Sequence, residues 1–234
     1  MPKLTVERLL AGLGFGSRKE SRALVRMGVV KIADREIEDP FEELDVRPET
    51  IEVNGEEVPT TETLYVMLNK PLGYECSHAP RDHESVFALI PERFLAMGIN
   101  AVGRLDAEST GLLLLSNQGE FVHRIESPRK GKDKTYIATL ARPFDDAQKA
   151  KLLAGVMLNQ EPEPLAAHSV KALGELEVEI SIGEGRYHQV RRMFAAVGNH
   201  VETLRRVSIG GITLDPSLEP GKWRFLTDAE VASL

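Results

Sequence analysis

Four consecutive leucines, Leu112–Leu115, constrain this chain more than any other stretch of it. A short apolar run bounded by turn residues has no polar face to offer water. It reads as a strand buried on both sides, and so demands a sheet covered by further layers. Gly111 opens the run, and Asn117-Gln118-Gly119 supplies the turn after it. Directly upstream lies a polar loop, Val102-Gly-Arg-Leu-Asp-Ala-Glu-Ser109, which carries one carboxylate, Asp106, and an arginine two residues before it, Arg104. A loop carboxylate anchored to a rigid strand is well placed for chemistry. An aspartate in such a loop also caps turns, so the spacing alone leaves both roles open.

The rest of the chain mixes helix and strand signals without regular alternation, which predicts an α+β fold rather than a doubly wound sheet. Val6, Leu9, Leu10 and Leu13 fall at helical spacing before Gly14 and Gly16. Ser17-Arg-Lys-Glu20 has the form of a capping box, opening a helix over 18–27 that stops at Gly28. Strands are expected over 29–33 and 51–53, the second ending in the hairpin signal Asn54-Gly55. Pro59-Thr-Thr-Glu-Thr63 reads as a linker. Further strands are expected over 64–68, 134–140 and 175–182, the last alternating Leu176, Val178, Ile180 and Ile182 with polar residues. Helices are expected over 120–125, 145–154 and 187–197, and Thr227-Asp-Ala-Glu230 opens a terminal one.

Net charge is −7 over 234 residues, which by itself argues against a nucleic-acid partner. Its distribution argues otherwise. Residues 1–31 hold seven Lys/Arg and two acids, whereas residues 32–60 hold two Lys/Arg and eleven acids. One basic and one acidic face follow, and RNA binding depends on where positive charge sits. Two more basic stretches are Arg124–Lys134, with Arg129, Lys130 and Lys132, and Arg186–Arg206. No run approaches the roughly 20 apolar residues of a membrane span. The first eight residues carry charge where a signal peptide needs an apolar core, and Cys76 is the single cysteine. A cytoplasmic location is expected. Cys76, His78, Asp82 and His83 cluster in sequence but match no zinc spacing, so no metal is expected.

Gly103-Arg-Leu-Asp106 followed by Thr110-Gly-Leu-Leu-Leu114 resembles the catalytic signature of the RNA pseudouridine synthases, in the branch that modifies ribosomal RNA. The loop Asn69-Lys-Pro-Leu-Gly73 resembles that family's first motif, and Ser181–Met193 resembles its third. The resemblance implies that Asp106 is the catalytic aspartate. It also implies that Arg191 pairs with it and that Tyr136, in Lys134-Thr-Tyr-Ile137, stacks on the target base. Arginine suits the pairing because it stays charged and can grip a carboxylate with two hydrogen bonds. Residues 1–60 resemble the S4 RNA-binding domain in Gly14–Arg18, Ala23–Val30 and Ile51–Gly55. Residues 61–234 would then form the catalytic domain, a mixed and mainly antiparallel sheet with flanking helices.

Arg18, Lys19, Arg22 and Arg26 on the second helix are the expected RNA contacts of the first domain. Lys70, Arg104, Lys134, Arg186 and Arg192 are those of the second. Met193–His200 and Ile209–Leu214 resemble the small-subunit branch, whose usual target is uridine 516 of 16S rRNA. The expected partner is therefore 16S rRNA or a small-subunit assembly intermediate, with a monomeric enzyme and no obligate protein partner. Pseudouridine formation breaks the bond from C1′ to N1 and joins C1′ to C5 with no redox change, so no cofactor is expected. Two alternatives remain at this level: a 23S rRNA pseudouridine synthase, and a non-catalytic assembly factor that binds rRNA. A glycoside hydrolase also cleaves at C1′, but it needs a second facing carboxylate, and none is evident.

Overall fold

A computed structural model describes residues 3–126 and 132–234. Arg129 and Lys130, part of one expected basic stretch, lie outside the described residues. The chain divides into two compact units, one comprising residues 1–64 and 90–100, the other residues 65–89 and 101–234. Among the described residues no helix is long and apolar enough to cross a membrane.

In the first unit, α1 (Val6–Gly12) and α2 (Arg18–Arg26) precede a small antiparallel sheet of β1 (Val30–Ile32), β2 (Arg35–Glu36), β3 (Thr50–Val53) and β4 (Glu56–Pro59), in the order β2-β1-β3-β4. The capping box is formed: the Ser17 hydroxyl accepts from the Glu20 amide, and the Glu20 carboxylate accepts from the Ser17 amide. Asn54 and Gly55 both take positive φ, 55° and 80°, as the tight β3–β4 hairpin requires. The apolar faces of both helices close over the sheet: Leu9, Leu10, Leu13 and Val25 pack with Val30, Ile51, Val53 and Val58. The linker signal at 59–63 is partly absorbed here, since Pro59 ends β4. Thr60 is buried, with its amide donating to Glu49 O at 3.0 Å. Residues 90–100, which the linear reading assigns to the other domain, belong to this unit. Gly14 shows why. A Cβ there would run into the carbonyl oxygen of Arg93, so the glycine marks a close backbone approach.

The second unit is built on one sheet. Its strands are β5 (Tyr65–Lys70), β6 (Ser109–Ser116), β7 (Lys134–Leu140), β8 (Ser169–Ala172), β9 (Glu177–Ile182), β10 (Val201–Ile209), β11 (Ile212–Thr213) and β12 (Trp223–Phe225). They run β8-β9-β7-β10-β6-β5-β12, with β11 hairpinned onto β10. β6 and β10 are parallel, and the other pairs in that path are antiparallel. Helices α3 (Gly119–Glu126), α4 (Asp146–Ala154), α5 (Gln189–Ala196) and α6 (Asp228–Ala232) complete the unit.

The leucine run behaves as its sequence demands. All four leucines are fully buried, and Leu112 and Leu114 pack on one face with Met67, Phe121, Ile125 and Ile209. By strand alternation Leu113 and Leu115 project from the other face, which Gly111 shares.

Candidate active site

Strand register assembles one row of side chains across that second face. Gly111 lies opposite Lys70 on β5 and opposite Arg206 on β10. Arg206 lies opposite Tyr136 on β7, and Tyr136 opposite Ile180 on β9. Residues directly opposite share a face, so Lys70, Arg206 and Tyr136 line up across four neighbouring strands. The glycine in their midst is required, because it adopts φ 100° and any Cβ there would meet the Arg206 carbonyl oxygen. The loop that carries Asp106 runs into β6 at the edge of this row.

Lys70 is fully buried, at 0% exposure. Its ammonium donates to Ser109 O at 2.8 Å, Pro71 O at 3.0 Å and Ala107 O at 3.4 Å. It therefore pins the backbone on the C-terminal side of Asp106. The Gly73 amide adds a bond to Ala107 O at 2.8 Å. Burial holds the Lys70 pKa below the ordinary lysine value, with Cys76 and Asp106 raising it and Arg206 lowering it further. The expectation that Lys70 touches RNA is corrected: all three of its protons are spent on carbonyl oxygens inside the protein.

Lys134 is corrected in the same way. Its side chain is buried at the start of β7, its ammonium donates to Lys132 O at 3.0 Å, and desolvation lowers its pKa.

Arg206 was not anticipated. It is 1% exposed, donates from Nε to Leu112 O at 2.8 Å and from Nη1 to Arg104 O at 3.4 Å, and leaves Nη2 buried without a hydrogen-bond partner. Lys70 and Arg206 thus put buried positive charge beside the loop, with carbonyls, rather than carboxylates, as their direct acceptors. Such a site favours an anion nearby. Asp106, with its side chain 40% exposed, keeps its carboxylate at the mouth.

The Asp106 carboxylate pairs with a residue that sequence reasoning passed over: His188 Nε2 lies 3.4 Å from Oδ1. Helix α5 begins two residues later than the expected 187. His188 takes a left-handed conformation at its N-cap (φ 47°, ψ 33°), and the Gln189 side chain accepts from the Arg186 amide at 3.0 Å. The Tyr187 ring stacks on His188, with centroids 4.0 Å apart and planes 14° from parallel.

The expected Arg191–Asp106 ion pair is not formed. Arg191 donates to Val201 O at 2.8 Å and Glu108 O at 3.1 Å, and its nearest carboxylate contact is Glu108 at 4.0 Å. From α5 its guanidinium reaches the backbone two residues past Asp106 and braces the loop there.

Tyr136 is 7% exposed in the strand row. Arg192, expected to hold phosphate, instead donates to the Glu161 carboxylate and Tyr187 O, both at 3.1 Å, and to Asn159 O. Arg186 sits 3.6 Å from the same Glu161 and stays exposed, as does Arg104. Cys76 fills space against Leu105, its sulfur 3.4 Å from that residue's N and O, and burial raises its thiol pKa. Among the described residues no group of three His, Cys, Asp or Glu side chains could hold a metal ion.

A family model described as RNA pseudouridylate synthase matches residues 64–196, which span the Asp106 loop, Tyr136 and the Arg186–Arg192 segment. The chain belongs to the RNA pseudouridylate synthase family. It is an RNA pseudouridine synthase, and so an isomerase. It is 46% identical over 170 residues, 73% of each chain, to ribosomal small subunit pseudouridine synthase A of Escherichia coli K12. Likeness to the protein of that name from Vibrio vulnificus is 37% over 233 residues, 99% of each chain. A solved structure titled as a pseudouridylate synthase matches with a TM-score of 0.70 and 35% identity, covering 98% of this chain and 99% of that one.

Proposed function

We propose that this chain converts one uridine of small-subunit ribosomal RNA to pseudouridine, that the uridine is position 516 of 16S rRNA, and that Asp106 is the catalytic carboxylate. The observation that carries the reading is full-length likeness to a relative named for small-subunit rRNA, together with a carboxylate set at the mouth of a row of buried cations.

The chemistry asks for few parts. The target uridine must leave its stack, because its reacting atoms are inaccessible within one. Asp106 faces the ribose and base and must be ionised where water is largely excluded. Lys70 and Arg191 hold the loop backbone on the C-terminal side of Asp106, so the carboxylate meets the nucleotide from a fixed direction. Buried Lys70 interacts electrostatically with Asp106 from beneath the loop. Tyr136 is the wall on which the detached base turns before C1′ joins C5. Keeping that base enclosed prevents its loss to solvent.

Residues 1–60 act in this reading as an S4-like docking module. Arg18, Lys19 and Arg26 are exposed along α2, whereas Arg22 is engaged by Glu7. The enzyme works in the cytoplasm as a monomer, with 16S rRNA or an assembling small subunit as its partner.

The test incubates purified protein with 16S rRNA from a strain lacking it and maps pseudouridine by carbodiimide treatment and primer extension, with Asp106→Asn alongside. One stop, at uridine 516 and with wild type only, is expected. A stop elsewhere in 16S rRNA removes the site assignment. A stop only in 23S rRNA removes the substrate, and a stop with both proteins removes Asp106.

A further inference from the structure

Tyr187 is the most exposed aromatic residue of the described chain that lies beside the site. The residue is 74% exposed, on the loop between β9 and α5. One ring face lies flat on His188 at 4.0 Å, and the opposite face is open. Three features make this stack rigid. The Tyr187 carbonyl accepts from Arg192 Nη1 at 3.1 Å. His188 is locked by its left-handed backbone, a conformation that non-glycine residues hold only when their surroundings impose it. Its imidazole Nε2 also lies 3.4 Å from Asp106 Oδ1. A ring left in water contributes little to the core, so folding does not account for its placement. Arg186 stands next to it with its side chain 55% exposed.

We propose that the Tyr187–His188 stack is a binding subsite for a nucleobase adjacent to the target uridine in the RNA chain. The base lies on the open face of Tyr187, and the exposed side of Arg186 meets its phosphate. An aromatic face accepts any base, because every base has a π-face, so the subsite reads position and unstacking rather than sequence. The order base, Tyr187, His188, Asp106 also links occupancy of the subsite to the direction in which the carboxylate is held. The proposal rests on Asp106 as the carboxylate beside the target.

Its test is a cycle between protein and RNA. Synthetic 16S fragments that contain the target uridine carry a single abasic ribose at each neighbouring position in turn. Affinity is measured in the Asp106→Asn background, with and without Tyr187→Ala or Tyr187→Phe, and single-turnover rates are measured with Asp106 intact. Tyr187→Ala is expected to weaken binding about 5- to 150-fold, the range for losing one stacked base. Tyr187→Phe should keep wild-type affinity. One abasic position should reproduce the alanine loss in the parent protein and add nothing in the Tyr187→Ala variant.

Equal abasic penalties with and without the Tyr187 ring would overturn the proposal. So would a loss in Tyr187→Phe as large as in Tyr187→Ala, which would place the effect in the hydroxyl. Thermal melts confirm that each variant is folded. Because the affinity cycle needs no turnover, an inactive wild type would sink the catalytic reading and leave the stack still tested.

Discussion

Two sets of cations in this molecule are alike in sequence and opposite in use. Along α2, Arg18, Lys19 and Arg26 stand in solvent. In the second unit, Lys70, Lys134 and Arg206 are buried, and the hydrogen bonds they make run to main-chain carbonyls. An exposed cation acts at a distance, is screened by salt, and attracts a polyanion by releasing its counterions. A buried one is screened little and acts only on what lies within a few ångströms. In the proposed function the first set would govern how strongly RNA is held, and the second the field around Asp106.

Asp106→Asn gives the largest expected effect. It should cut the single-turnover rate by at least about a thousandfold while RNA affinity stays near wild type, as filter binding would show. Near-normal turnover would remove the carboxylate around which the buried set is arranged. Lys70→Met comes next, with a rate lower by about 10- to 100-fold and an unchanged dependence of affinity on salt. A flattened salt slope would show that this lysine belongs with the exposed set after all.

Replacing Arg18, Lys19 and Arg26 together with glutamate should do the reverse. Affinity should fall by about tenfold or more and the salt slope by about 2 to 3, one phosphate contact per cation, with the rate on saturating RNA retained. A rate loss without a change in slope would break the division.

The smallest effect belongs to a cation of neither set. Arg224 donates to Glu230 at 2.7 and 2.8 Å and to Asp215 at 2.9 Å, holding α6 against β12. Hydrogen bonding to Arg224, then to the Thr227 amide, pulls the Glu230 pKa down to about 2. That carboxylate therefore adds stability fully above its ordinary value near 4.5 and loses it as pH falls through about 2. Because the pair is partly exposed, Glu230→Gln should cost about 1 kcal/mol at neutral pH and almost nothing at pH 2. Denaturant melts at the two pH values would check this.

Local signals in the sequence were read well because each rests on a short stretch of backbone chemistry. Both capping boxes, the Asn54-Gly55 hairpin and the leucine strand formed where their residues stand. The mixed sheet was also foreseen, but not its central parallel strand. In β10 the buried positions are Val201, Leu204, Arg206 and Ile209, a spacing that does not alternate. Two irregularities in its pairing with β7, one beside Tyr136, break the period of two. Arg206 was hidden with it.

Charge was legible only as inventory. Nothing local to Lys70 or Arg192 tells that one is sealed under the Asp106 loop and the other held by Glu161, about 30 residues before it in the chain. His188 and Tyr187 did leave a signal: an aromatic–imidazole pair in a loop preceded by Gly183 and Gly185. The expected helix start at 187 absorbed that pair into α5.

The parallel seam between β6 and β10 joins Gly111 to Arg206. The row that faces the Asp106 loop therefore draws on residues 70, 111, 136 and 206, spread over most of the chain length. Such long-range pairing is slow to form, since a large loop must close before any contact rewards it. During synthesis a growing chain can complete its first unit's small sheet early, yet it has no assembled site until β10 has emerged. If the first unit is the docking module proposed above, affinity for RNA and the ability to modify it arise at different moments in the life of one molecule.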